Sequence, residues 1–106
     1  MTTTITSNGN LHVITGLATS ETSDALPVNK LGGVVGAVAI DSLSGGTVTI
    51  QVSLDNTNWY TLKDPFGTEM AFTSDQYAEI NTAGAWLRAS ANSSVTSVNV
   101  SFILRN

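Results

Sequence analysis

Gly46-Thr47-Val48-Thr49-Ile50-Gln51-Val52-Ser53-Leu54-Asp55-Asn56-Thr57-Asn58-Trp59-Tyr60-Thr61-Leu62 is the stretch that decides the fold class. Val48, Ile50, Val52 and Leu54 alternate with Thr49, Gln51 and Ser53. A period of two sends successive side chains to opposite faces of a strand, so the four apolar residues predict one buried face. Asp55-Asn56-Thr57-Asn58 follows, built from residues whose side chains bond their own backbone in turns. Trp59-Tyr60-Thr61-Leu62 then starts a returning strand. The stretch predicts a β-hairpin, with Trp59 as the aromatic that closes its core.

The chain on either side repeats this kind of unit. Upstream, Val34, Val35, Val38 and Ile40, with Ala37 and Ala39 between them, make a near-continuous apolar run. Such a run predicts a strand buried on both faces. Gly36 inside it predicts a bulge or a close backbone approach. Leu11 to Ala18 predicts a first strand, with Leu11, Val13 and Leu17 on one side and His12 with Ile14 on the other. Leu26 precedes Pro27 and so is held extended. Downstream, Tyr77-Ala78-Glu79-Ile80 and Ala85 to Ala91 are strands joined by Asn81-Thr82-Ala83-Gly84. The last strand runs from Val95 to Leu104, with Val98, Val100, Phe102 and Leu104 on one face. Residues 19–33 and 63–75 are the least patterned segments; Pro65 and Gly67 break the second, which also carries Phe66, Met70 and Phe72.

No segment has a helical period with caps. The expectation is therefore an all-β chain: an antiparallel β-sandwich or jelly-roll-like fold of about seven to eight strands. Residues 1–10 are polar and predict a flexible N-terminal arm, and 11–106 a single sandwich domain. The arm has a functional alternative, which is to order on a neighbouring subunit by strand addition.

Composition narrows the function classes. Only 11% of the 106 residues are charged, against about 25% in an average soluble protein. Thr, Ser, Asn and Gly take the place of charge and suit polar surfaces that meet another protein without desolvating ions. The net charge is −4, and the four basic residues, Lys30, Lys63, Arg88 and Arg105, are scattered. Phosphate neutralisation would lack its cations, so nucleic acid is not an expected partner. The chain has no cysteine, which excludes disulfides, thiolate nucleophiles and Cys-ligated metals. No apolar run approaches the ~20 residues of a membrane helix.

Catalytic and cofactor sets are not expected. Nucleophilic catalysis needs a base beside the nucleophile; His12 is the one histidine, and no Gly-x-Ser-x-Gly elbow occurs. The carboxylates Glu21, Asp24, Asp41, Asp55, Asp64, Glu69, Asp75 and Glu79 lie mostly in predicted turns and loops. Asp55-Asn56-Thr57-Asn58 carries oxygen donors but lacks the spacing of a calcium loop; a self-bonded turn accounts for it. Asn92-Ser93-Ser94 and Asn99-Val100-Ser101 match the glycosylation sequon, yet the N-terminus has neither the basic nor the apolar segment of a secretory signal. Trp59 and Trp86 are expected in the core or half-core of adjacent hairpins. In the alternative reading, Trp59, Tyr60, Tyr77 and Trp86 form a stacking platform for sugars.

Val52-Ser53-Leu54-Asp55-Asn56-Thr57-Asn58-Trp59-Tyr60-Thr61-Leu62 resembles a hairpin of small β-sandwich structural proteins of tailed bacteriophages. Tyr77 to Ile80 and Ala83-Gly84-Ala85-Trp86-Leu87-Arg88 are similar to the hairpin that follows it there, so the resemblance covers about residues 46–104. A Ser-x-Asp-x-x-x-Trp hairpin also occurs in discoidin-like and other carbohydrate-binding sandwiches. The resemblance implies a non-enzymatic virion structural protein, a capsid decoration or cement protein made in the host cytoplasm and placed on the capsid surface. Implied partners are the major capsid protein or another virion protein and further copies of the chain, with no membrane and no cofactor. The expected contact residues are Thr3, Thr4 and Ile5 of the arm, with Leu26, Phe66 and Met70 from the two long loops. The alternative function is a glycan-attachment module using Trp59, Tyr60 and Trp86.

Overall fold

The computed structural model describes residues 4–8, 11–27, 34–63, 66–82 and 86–105. These form ten β-strands and no helix: β1 (Thr4–Asn8), β2 (Leu11–Ala18), β3 (Leu26–Pro27), β4 (Val34–Asp41), β5 (Val48–Ser53), β6 (Trp59–Thr61), β7 (Ala71–Phe72), β8 (Tyr77–Thr82), β9 (Trp86–Ala91) and β10 (Ser97–Arg105). They make two antiparallel sheets, one ordered β1-β2-β10-β4-β8, the other β3-β9-β5-β6 with β7 also on β5. The pairs β2 with β10, β3 with β9, β4 with β8 and β5 with β6 are nested, first with last and inward. That is one long hairpin folded over itself into two sheets, the eight-stranded jelly roll. β1 and β7 are additions to it. Thr4–Asn8, expected within a flexible arm, is thus an edge strand, with Thr4 opposite Thr15 and Ile5 opposite Ile14.

The core lies between the sheets. β10 supplies Val98, Val100, Phe102 and Leu104 from its inner face, as its alternation predicts; β9 adds Leu87, Ala89 and Ala91 from the facing sheet. Fully burying one large apolar side chain contributes roughly 1.5–3 kcal/mol, so this row is the main cohesive element. Leu62 and Met70 also enter the core, at 6% and 2% exposure. Their backbones are threaded onto β5: Ile50 N donates to the Met70 carbonyl, Leu62 N to the Ile50 carbonyl and Met70 N to the Leu62 carbonyl. This threading ends β6 after Thr61 and lets β7 take its place beside β5.

Three expectations about facing are corrected. On β2 the buried side is Ile14 with Leu17, while Leu11 is 37% exposed. Leu17 pairs with Val98 and Ile14 with Val100, so β2 spends one residue more than β10 between the two pairs. The extra residue is a bulge at Gly16, whose φ of 72° a glycine adopts without strain. Asn99 Oδ1 accepts the Gly16 N–H at 3.0 Å. On β5, Leu54 is 72% exposed and Ser53 fully buried, because the strand ends at Ser53 and the turn folds back over its hydroxyl. On β4, Val38 and Ile40 are buried but Val35 is 53% exposed, so this strand is covered on one face only. Gly36 marks a close approach: a Cβ there would stand 1.9 Å from the Ile103 carbonyl oxygen of β10.

Candidate functional site

Antiparallel partners share a face, so the registers define the two outer surfaces row by row. On the five-stranded sheet, Glu79, Ala37, Ile103 and Leu11 form one row, and Tyr77, Ala39, Ser101 and Val13 the next. Val35 and Asn81 begin a third. Val35, Ile103 and Tyr77 are 53%, 51% and 68% exposed. Along the first two rows Glu79, on the edge strand, is the one charged residue among those described; Arg105 is in register with Val35 in the third, and Asp41 pairs with Asn99 beyond Ala39. A shallow cleft of ≈ 200 Å³ at Val35, Glu79 and Asn81 extends the surface over the β4–β8 margin. The result is a sheet face with an apolar middle and its charged residues, Glu79, Asp41 and Arg105, at the margins.

The opposite face of the molecule differs in kind. Ser53 of β5 lies between Trp59 of β6 and Trp86 of β9. One row along, Gln51 lies between Thr61 and Arg88. Leu87 and Ala89 point into the core and Trp86 and Arg88 are half-buried outside it, as the alternation of β9 requires. The Arg88 guanidinium carbon sits 4.0 Å from the centre of the Trp59 ring, a cation–π geometry. Its Nε donates to Gln51 Oε1 at 2.6 Å. Partial burial pulls the Arg88 pKa below its usual value. Among the described residues no carboxylate pairs with this guanidinium, although acids outnumber bases eight to four in the chain.

The β5–β6 turn shapes the edge of that face. Asp55 Oδ1 accepts from Thr57 N at 2.9 Å, Asn58 N at 2.8 Å and Ser53 Oγ at 3.1 Å, while Oδ2 accepts from Asn58 Nδ2 at 2.9 Å. The backbone N–H groups of Asn58 and Thr57 chiefly hold the carboxylate at a pKa of about 2, against the usual 3.8. Ser53 Oγ in turn accepts from Asp55 N at 3.2 Å and Asn56 N at 2.9 Å. Asn56 sits at φ 61°, a conformation asparagine tolerates. The turn's own donors therefore occupy the carboxylate.

Trp59 and Trp86, expected in the core or half-core, are half-buried and share the outer face. Tyr60 is separated from them: it opposes Val52 on the other side of β6, where the edge position leaves it 63% exposed. Of the expected contact residues, Leu26 and Met70 belong to the core, at 7% and 2% exposure, and fill the sandwich rather than offer a surface. Phe66 is 93% exposed. Thr3 lies outside the described residues, and Thr4 and Ile5 are strand residues of β1. The sequon asparagines are structural: Asn92 Oδ1 accepts from Thr47 N at 3.1 Å and Ser94 N at 3.0 Å, and Asn99 holds the Gly16 bulge.

His12 lies on β2 between Ser7 and Phe102. Among the described residues no three His, Asp or Glu side chains are grouped to hold a metal ion. Gln51 and Arg88 were not legible as partners of Trp59. Arg88 two residues after Trp86 signals a shared face, but its meeting with Gln51, 37 residues away in sequence, needs the β5–β9 register. Comparison with known proteins gives no match: no family model, curated protein or solved structure is similar to this chain.

Proposed function

We propose that this chain is a non-enzymatic structural protein that docks onto an assembled protein shell, as a decoration or cement protein of a phage head. The observation that carries the reading is β4. Its sequence is that of a strand buried on both faces, yet Val35, Ala37 and Ala39 meet no second layer. With Ile103, Leu11 and Val13 beside them, they form an apolar sheet face that a partner would cover. Contiguous apolar surface of this kind marks interaction sites.

The magnitudes favour an array over a single partner. The named rows cross β8, β4, β10 and β2, about 4.8 Å apart, over about five residues of each, and present roughly 300 Å². A stable pairwise interface needs about 800 Å² per partner. One face alone binds weakly, whereas a lattice presenting the same site many times, bridged at more than one point per copy, gains avidity without new contacts. Binding the assembled shell and not its free subunits then stabilises the shell by mass action. The jelly roll is used by viral and lectin domains alike, so the fold by itself supports neither over the other.

The test is co-sedimentation of the purified protein with expanded, protein-stripped heads of the phage that encodes it. Saturable binding at a fixed number of copies per head is the expected result, absent for unassembled capsid subunits. Failure to bind heads, or equal binding to free subunits, would overturn the proposal.

A further inference from the structure

The outer face of the β3-β9-β5-β6 sheet has no part in that docking, since it points away from the apolar face across the core. It carries the combination that recognises an acidic sugar. Pyranose rings present flat C–H faces that stack on indole, and half-buried Trp86 brings an indole to this face. A guanidinium fork matches a carboxylate with two parallel hydrogen bonds. Arg88 is pre-organised for this: its Nε is held by Gln51 and its plane lies on Trp59. Fixing Nε on Gln51 commits that donor and leaves the two terminal nitrogens to face a ligand. Same-face neighbours two apart on a strand lie about 6.5–7 Å from each other. Trp86 and Arg88 are such neighbours, and the guanidinium lies over Trp59, across Ser53 from Trp86, so a pyranose on Trp86 can turn its carboxylate, bonded directly to the ring, toward it.

The charge pattern points the same way. This cation is partly desolvated and has no carboxylate partner among the described residues, in a chain of net charge −4. A guanidinium in that state gains more from an incoming anion than a solvated surface lysine would. Trp59 contributes differently from Trp86. Arg88 covers one side of its ring, so Trp59 positions the guanidinium, and Trp86 is the ring left for stacking.

We propose that Trp86 and Arg88, with Gln51 and Trp59 positioning the guanidinium, form a binding site for carboxylated sugars, uronic or sialic acids, on the face opposite the docking surface. The site does not depend on what covers the apolar face. In a docked molecule it would face solvent.

The experiment is a ligand-observed NMR and tryptophan-fluorescence titration of the whole chain with D-glucuronate and N-acetylneuraminate. D-glucose serves as the neutral sugar and acetate as the carboxylate without a ring. At least one of the two acids should bind about tenfold or more tightly than either control, the value of one charge-assisted pair; which acid does so identifies the source. Arg88→Gln should remove that preference, and Arg88→Lys should restore it only in part. Trp86→Ala should weaken both sugars. Circular dichroism of each variant should keep the β spectrum, and the wild-type titration decides the matter if a variant does not fold. No response to either acid, an equal response to acetate, or a preference that survives Arg88→Gln would overturn the proposal.

Discussion

The two outer faces of this sandwich are built from the same strand chemistry and diverge in what they leave exposed. On the five-stranded sheet, β4 and β10 put Val35, Ala37, Ala39 and Ile103 outward, side chains with no polar group to direct a partner. On the other sheet, β5 and β9 put Gln51, Trp86 and Arg88 outward, and Arg88 is fixed by a 2.6 Å hydrogen bond and a ring at 4.0 Å. One face is flat and non-directional, suited to covering by another protein. The other is directional, with donors aimed by a framework. The strand edges differ in the same sense. β6 is three residues long, and β3 is two residues ending in Pro27; short edges and proline blunt strand addition. β1 and β8 are five and six residues long, and Glu79 is the one charge on them. The sheet with the apolar face is also the sheet with open edges.

Gly36→Val breaks the comparison most severely. The β4 and β10 backbones that carry the apolar face approach where its Cβ would stand, and forcing them apart should cost about 3 kcal/mol. A urea denaturation midpoint measures this, and head binding should fall with it. Next comes Val35→Lys combined with Ile103→Lys. Both positions are about half exposed, so stability should change by about 0.5 kcal/mol or less per site. Head binding in the sedimentation assay should drop by about 100-fold or more, as repeated contacts fail together. Arg88→Gln is the mirror experiment: it should cost about 0.5–1 kcal/mol of stability through the lost ring contact, seen as a lower melting temperature, and leave head binding unchanged.

The smallest effect concerns the turn beside the polar face. Asp55 has a folded pKa of about 2, below the usual 3.8, so its contribution is complete above about pH 4 and disappears as the pH falls through 2. Melting temperature should decline across that interval in the wild type. Asp55→Asn should lack this component and be less stable at neutral pH, since an amide replaces an ionised acceptor of backbone N–H groups.

Much of the framework is readable in the chain because it is local. The β5–β6 hairpin, the polar turn and the inner face of β10 follow from alternation and turn chemistry within a few residues. Facing failed where a single backbone event shifts parity. The Gly16 bulge sends Ile14 and Leu17 to the same side, and the departure of the chain after Ser53 exposes Leu54. The apolar run of β4 predicts a doubly covered strand because pattern alone cannot tell an occupied face from an exposed one. Met70 and Leu26 sit in irregular segments and looked like surface, yet backbone hydrogen bonds to β5 draw Met70 inward. The Trp59–Arg88–Gln51 cluster stayed hidden for a simpler reason: it spans three strands, and only their register brings it together.

The chain contains no cysteine, which allows single reporters to be placed on each face. Maleimide labelling of Val35→Cys and Thr61→Cys, free and bound to heads, tests the central claim directly. The account predicts that binding protects Val35→Cys and leaves Thr61→Cys as reactive as in the free protein. Protection of Thr61→Cys with Val35→Cys still open would contradict it.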